Sequence, residues 1–258
     1  MHHISQERHA VILKKKMEAT ENITVGELAA KDYRKVEVFK KYGIDFCCGG
    51  KKTLDKVCRE KGLDSAQLKK DLQALEEGTQ LPSQDFYSWE PSFLADYIVN
   101  THHRYVTQSI PLLFDIVQKV ARVHGQEHPE TVQVSKLFLQ VMDEINRHMM
   151  KEENILFPYI KMLADAKRSG GKIKPSQFGT VQNPINMMEH EHDVVGELMH
   201  EIRRVTANYE LPAGACNSYR YSYAKLNEFE EDLHQHIHLE NNILFPKAIQ
   251  LEQELTSS

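Results

Sequence analysis

Two histidines in the sequence open the same phrase. Residues 148–158 read HMMKEENILFP and residues 236–246 read HIHLENNILFP, identical at seven of eleven positions, which marks an internal repeat. Each copy begins with His-x-x-x-Glu: His148 with Glu152, and His236 with Glu240. Four residues are about one turn of α-helix, so each helix presents an imidazole nitrogen and a carboxylate on one face. Both are ligand types for a transition metal.

Helix phase indicates where that face points. Val134, Phe138, Val141, Ile145, His148, Glu152 and Ile155 form one stripe of 3–4 spacing, and Leu226, Phe229, Leu233, His236, Glu240 and Ile243 form another. The polar pairs interrupt apolar seams, where burying an imidazole and a carboxylate is costly unless each is paired or bound to metal. Two further helices put a single histidine on such a stripe: His103 among Val99, Val106, Ile110, Leu113 and Val117, and His192 among Met188, Val195, Met199 and Ile202. The spacing from His103 to His148 is 45 residues and from His192 to His236 is 44, so the single histidines belong to the repeat as well. Four histidines and two glutamates suit two iron ions: imidazoles take terminal positions, carboxylates bridge, and an oxo or hydroxo group completes the bridge. Structural zinc prefers four ligands, often with cysteine, and fits less well.

Some neighbours compete. His102 lies on a slightly poorer stripe with Ile98, Tyr105, Leu112 and Ile116, and stands as the rival to His103. His190, His200, His234 and His238 fall off the seams and are expected in solvent. Glu189-x-x-His192 and Glu231-x-x-His234 match the Glu-x-x-His spacing of ferritin-like carboxylate sites, but His234 leaves the seam. Cys47-Cys48, followed by Gly49-Gly50, offers two accessible sulfurs for metal or redox chemistry, whereas Cys58 and Cys216 read as ordinary core or loop residues.

The elements that must hold this set are helical. Four long patterns span about 91–120, 131–164, 184–207 and 218–252, separated by Gly125 and Pro129, by Gly170-Gly171 and Pro175, and by Pro212 and Gly214. No strand alternation is sustained, so the fold class is all-α: a four-helix bundle over 93–252 with a small helical N-terminal domain over 22–78, a linker at 79–92 and a polar tail at 1–21. Thr24 and Glu27 have capping-box spacing and predict a helix start. A net charge of −5 and a pI near 6.3 argue against nucleic acid as partner. No apolar run reaches the roughly 20 residues that cross a bilayer, and the N-terminus lacks a signal-peptide core, so a cytoplasmic protein with reduced thiols and no membrane partner is expected.

YGIDFCCGG at 42–50, followed by the two HxxxE-NILFP units, resembles the di-iron iron–sulfur cluster repair proteins, the repair-of-iron-centres family, over about residues 22–250. The resemblance implies a hemerythrin-like bundle with a non-haem di-iron centre, held by His103, His148, Glu152, His192, His236 and Glu240 with both glutamates bridging. It also implies a role in restoring iron–sulfur clusters damaged by nitric oxide or oxidants, with iron supplied to the damaged proteins and Cys47 and Cys48 as a redox or iron relay. Oxygen-carrying hemerythrins use a fifth histidine; Gly196 stands four residues after His192, where no such residue is present. The longer tail and the longer loop around 165–183 depart from the family pattern. Two other functions compete: reduction of nitric oxide at the same centre, and sensing of oxygen or nitric oxide with the N-terminal domain as output. A homodimer is carried among the expected partners.

Overall fold

A computed structural model describes residues 23–77, 85–171, 173 and 176–257; the expected tail and residues 79–84 of the expected linker lie outside them. The described residues are all-α, with isolated bridges at Thr24–Thr53 and Ser176–Gly179 as the sole strand-like pairings among them. The chain divides after Ser88 into two units.

The N-terminal unit holds α1 (Val25–Lys31), α2 (Lys35–Lys41), α3 (Leu54–Lys61) and α4 (Ser65–Glu77). Thr24 starts α1 with a capping box, its hydroxyl accepting from Glu27 N while the Glu27 carboxylate accepts from Thr24 N, as the spacing predicts. Val25, Phe39, Leu54 and Leu68 are buried in this unit. Between α2 and α3 the Asp45 carboxylate accepts from the backbone N–H groups of Cys47 and Gly49 at 3.0 and 2.9 Å and from the Cys47 thiol at 3.3 Å. A Cβ at Gly49 would sit 3.1 Å from Asp45 Oδ2, so glycine lets the turn wrap this closely. Cys47 is buried and Cys48 half-buried, which corrects the expectation of two accessible sulfurs: the turn that wraps Asp45 draws the Cys47 side chain inside. The hydrogen bond to Cys48, burial and the Asp45 charge hold the Cys47 thiol well above its ordinary range, which keeps it protonated.

The second unit is built from α5 (Pro91–Ile98), α6 (Arg104–His124), α7 (Pro129–Lys151), α8 (Phe157–Ser169), α9 (Gln182–Val205), α10 (Asn217–Leu239) and α11 (Phe245–Thr256). Three pairs of these are single rods joined through a π-helical turn: Val99–His103 joins α5 to α6, Glu152–Leu156 joins α7 to α8, and Glu240–Leu244 joins α10 to α11. With α9 the rods make four, matching the four predicted patterns. A π turn inserts one residue, which rotates everything beyond it by about 100°. That rotation corrects two members of the expected stripes. Ile155 is 52% exposed while Leu156 is buried, and Ile98 is fully buried while Val99 is only half-buried. On the other side of each turn the expected positions hold: Val106, Ile110, Val134, Phe138, Ile145, Met199, Leu226 and Phe229 all lie in one apolar core.

Candidate metal centre

The π turns bring the six predicted side chains into one place. His103, His148, Glu152, His192, His236 and Glu240 are all at most 1% exposed. They form two four-residue groups, His103, Glu152, His236 and Glu240 in one and His148, Glu152, His192 and Glu240 in the other, with the donor atoms of each group within 4.8 Å of one another. Both glutamates belong to both groups. In the first, His103 Nε2 lies 3.1 Å from His236 Nε2 and 3.3 Å from Glu152 Oε2, and His236 Nε2 lies 2.9 Å from Glu240 Oε1. In the second, His192 Nε2 lies 3.0 Å from His148 Nε2 and 3.1 Å from Glu240 Oε2, and His148 Nε2 lies 3.2 Å from Glu152 Oε2.

The far sides of the His103 and His192 rings are held by residues that the repeat also places. His103 Nδ1 lies 2.8 Å from Glu153 and His192 Nδ1 lies 2.8 Å from Asn241, the residues that follow Glu152 and Glu240 in the two copies. The phenylalanine of each NILFP stacks on the same two imidazoles, Phe157 on His103 and Phe245 on His192, with centroids 5.6 and 6.1 Å apart. His148 Nδ1 lies 3.1 Å from Glu191, the residue before His192, and Glu191 also takes Lys151. The equivalent residue before His103 is His102. It stacks on His236 at 5.8 Å and 10°, with its Nδ1 2.9 Å from Asp232, so His236 Nδ1 has no hydrogen-bond partner. Such contacts fix ring orientation and basicity in metal sites.

The electrostatics of the cluster require compensation. Burial and the Glu240 charge push the Glu152 carboxyl up, but the His148 and His103 imidazoles outweigh them and leave it below its usual range. Burial likewise opposes ionisation of Glu240, and His236, His103 and His192 hold it well below that range. Burial alone would lower His103 and His148; the two carboxylates raise both to about 10. Burial dominates at His236 and lowers it. Protons alone fit this arrangement poorly. Glu152 Oε1 has no hydrogen-bond partner although fully buried, Glu152 Oε2 and Glu240 Oε2 face imidazole nitrogens at 3.1–3.3 Å without hydrogen-bond geometry, and two pairs of Nε2 atoms approach within hydrogen-bond distance of each other. An unpaired buried carboxylate costs several kcal/mol. Lone pairs converging from four imidazoles and two carboxylates suit cations, so the residues present fit a metal.

His102 and His103 are both buried; His103 points its Nε2 into the cluster, while His102 stacks on His236. His190 and His200 are exposed and His234 is half-buried. His238 corrects the expectation of solvent, being fully buried with its Nδ1 3.1 Å from Asn242, because residues 236–241 at the end of α10 are enclosed on every side. Glu191, Asp232, Glu153 and Asn241 are the contacts to these histidines that seam periodicity misses, since it sees only residues facing the core. The last two carried a signal, their equal offset in the repeat.

This arrangement of four rods with paired histidine and glutamate donors defines a class, the hemerythrin-type cation-binding bundle. The profile of the hemerythrin HHE cation binding domain matches residues 94–248, and that of a domain of unknown function, DUF542 (ScdA_N), matches residues 21–76. The iron–sulfur cluster repair protein YtfE of Yersinia pestis (strain Pestoides F) is 36% identical over 232 residues, 90% of this chain and 98% of that protein. Its counterpart from Musicola paradisiaca is 37% identical over 232 residues, 89% and 97% of the two chains. The chain belongs to the family of these iron–sulfur cluster repair proteins.

Proposed function

We propose that two irons would be held by His103, His148, Glu152, His192, His236 and Glu240, with Glu152 and Glu240 as the donors shared between the His103–His236 and His148–His192 pairs, and that the protein repairs iron–sulfur clusters damaged by nitric oxide or oxidants by donating iron. The observation that carries this reading is the sharing of both glutamates between two histidine pairs, with three of their oxygens outside any hydrogen bond. The names of the relatives supply the repair role. When bound, the iron pair supplies transferable cargo, held less tightly in the ferrous state because its lower charge weakens the attraction to carboxylate oxygen.

The chain's own residues make release tolerable. In the metal-free chain His103 and His148 hold protons, and these imidazolium charges compensate Glu152 and Glu240. The Nδ1 contacts to Glu153 and Glu191 keep both rings aimed inward throughout. Phe157 and Phe245 cover His103 and His192 and exclude water from the rings they stack on. Cys47 and Cys48 form the redox or relay element of the N-terminal unit; neither is in a disulfide, and half-buried Cys48 is the more accessible. The partners are damaged iron–sulfur proteins, nitric oxide or oxygen as small ligands, and a second copy of the chain. The site of action is the cytoplasm, a reading supported by four cysteines that form no disulfide; among the described residues no helix is long and apolar enough to cross a membrane.

The test is metal analysis with Mössbauer spectroscopy on the wild type and on Glu152→Leu and Glu240→Leu, followed by incubation of the loaded wild type with an iron–sulfur protein whose cluster nitric oxide has damaged. Two irons per chain in the wild type, loss of iron in both variants and recovery of the cluster are expected. Two irons retained by either variant would refute the bridging assignment, and no recovery would refute iron donation.

A further inference from the structure

Away from the metal centre, Cys216 is exposed immediately before the first residue of α10. Its Sγ lies 3.2 Å from Nε2 of His124, 92 residues earlier in the chain and in the last turn of α6. The imidazole is itself positioned: its ring meets the Tyr219 ring edge-on, with centroids 5.4 Å apart and planes at 69°. Tyr219 is 1% exposed, donates its hydroxyl to Glu130 Oε1 at 3.2 Å and pairs with the Tyr223 hydroxyl at 3.2 Å. A sulfur nucleophile, a base within reach of it and a group that orients the base are the parts of an activated thiol. Arg220, anchored through Nε on the Ala215 carbonyl at 3.1 Å, adds a cation to the same turn. The other three cysteines differ: Cys47 and Cys58 are buried and Cys48 is half-buried.

We propose that Cys216 and His124 form a thiol–disulfide exchange dyad on the bundle surface that accepts an anionic low-molecular-weight disulfide of the glutathione type. Cys216 Sγ attacks one sulfur of the disulfide while its proton passes to His124 Nε2. A new S–S bond joins Cys216 to one half of the disulfide, and the original S–S bond breaks. The departing thiolate takes the proton from His124. The small disulfide is the oxidant; the products are a mixed disulfide at Cys216 and one free small thiol, and an excess of that thiol reverses the exchange. The anionic class follows from Arg220, whose guanidinium attracts carboxylates to the turn.

The experiment treats the metal-loaded full chain with glutathione disulfide and follows each cysteine by peptide mass spectrometry. Cys216 is expected to form the mixed disulfide first. Its rate should be at least ~10-fold above that of His124→Gln, a modest share of what a positioned base supplies. A second measurement needs no variant: Cys216 in the folded chain should react faster than the same residue in urea, where it is fully accessible but has lost His124. Replacing Arg220 by Gln should slow glutathione disulfide while leaving a neutral disulfide, hydroxyethyl disulfide, unchanged. Equal Cys216 rates in the folded and urea-unfolded chains, a difference below ~2-fold between wild type and His124→Gln, or prior modification of another cysteine would each overturn the proposal; an Arg220 change that slows both disulfides alike would overturn the anionic class.

Discussion

Filling the metal-free centre at neutral pH should expel protons. Glu152 and Glu240 are held ionised, and their counter-charges in the metal-free chain are the protons on His103 and His148, both raised to about 10. A nitrogen lone pair cannot serve a proton and a cation together, so loading releases about two protons per chain at pH 7. Removing a proton at pH 7 from a group that titrates about three units higher costs about 4 kcal/mol. Each histidine therefore weakens the apparent metal affinity about a thousandfold at neutrality. Raising the pH removes that penalty, and the logarithm of apparent affinity should climb by about two per pH unit toward pH 10. The assay is anaerobic titration calorimetry of metal-free protein with iron(II), or with cobalt(II) as a stable substitute, in buffers of different ionisation enthalpy. The dependence of the observed heat on that enthalpy counts the protons. Heats that do not vary with the buffer at pH 7 would refute the reasoning, because the two carboxylates would then be compensated by something other than these imidazolium groups.

The same histidines set the acid–base stability of the metal-free chain. Both lie above their ordinary value of about 6.5, so their contribution is fully present below that pH and is lost as the pH rises through about 10. Thermal melts from pH 7 to 10.5 should fall for metal-free protein and stay level for loaded protein; a level metal-free series contradicts the assignment. Glu191→Gln removes the charge on His148 Nδ1 and should weaken metal binding by about 10- to 100-fold in chelator competition. Unchanged affinity would show that Glu191 serves only Lys151. At Gly125 an added Cβ would lie 2.3 Å from the Ala121 carbonyl oxygen and 2.6 Å from Val132 Cγ2, so Gly125→Ala should cost about 1–3 kcal/mol in urea unfolding with metal content intact.

The candidate centre was legible where α-helical spacing holds and illegible where it changes. Val134 through Glu152 and Leu226 through Glu240 read as seams because the chain between them is unbroken helix. Nothing in NILFP announces a π turn: it contains no glycine, and its proline begins the helix beyond. The same isoleucine is therefore exposed at Ile155 and buried at Ile243, a difference set by what packs outside each copy. His238 was misplaced for the same reason, since periodicity assigns one buried face and the end of α10 has several. Glu191 reads as a surface acid on α9, and only the fold shows His148, 43 residues away, against it. His124 and Cys216 are likewise joined by tertiary structure alone. In the N-terminal unit the capping box at Thr24 was readable because both partners are local, whereas the hold of Asp45 on Cys47 and Gly49 depends on a turn that no periodic pattern describes.

The three π turns fall at one level of the bundle, and with His192 they make a polar storey between two apolar ones. Below it lies the large core running from Val106 to Leu233. Above it α8 packs against α5 and α11, with Leu94, Phe157, Ile160, Leu163 and Phe245 buried there. A rivet of metal through the middle storey would tie the upper helices to the lower, because every rod that crosses the level contributes a donor to it. Without the rivet the upper storey would rest on its own apolar contacts alone, and hydrogen exchange is expected to reach its amides before those below.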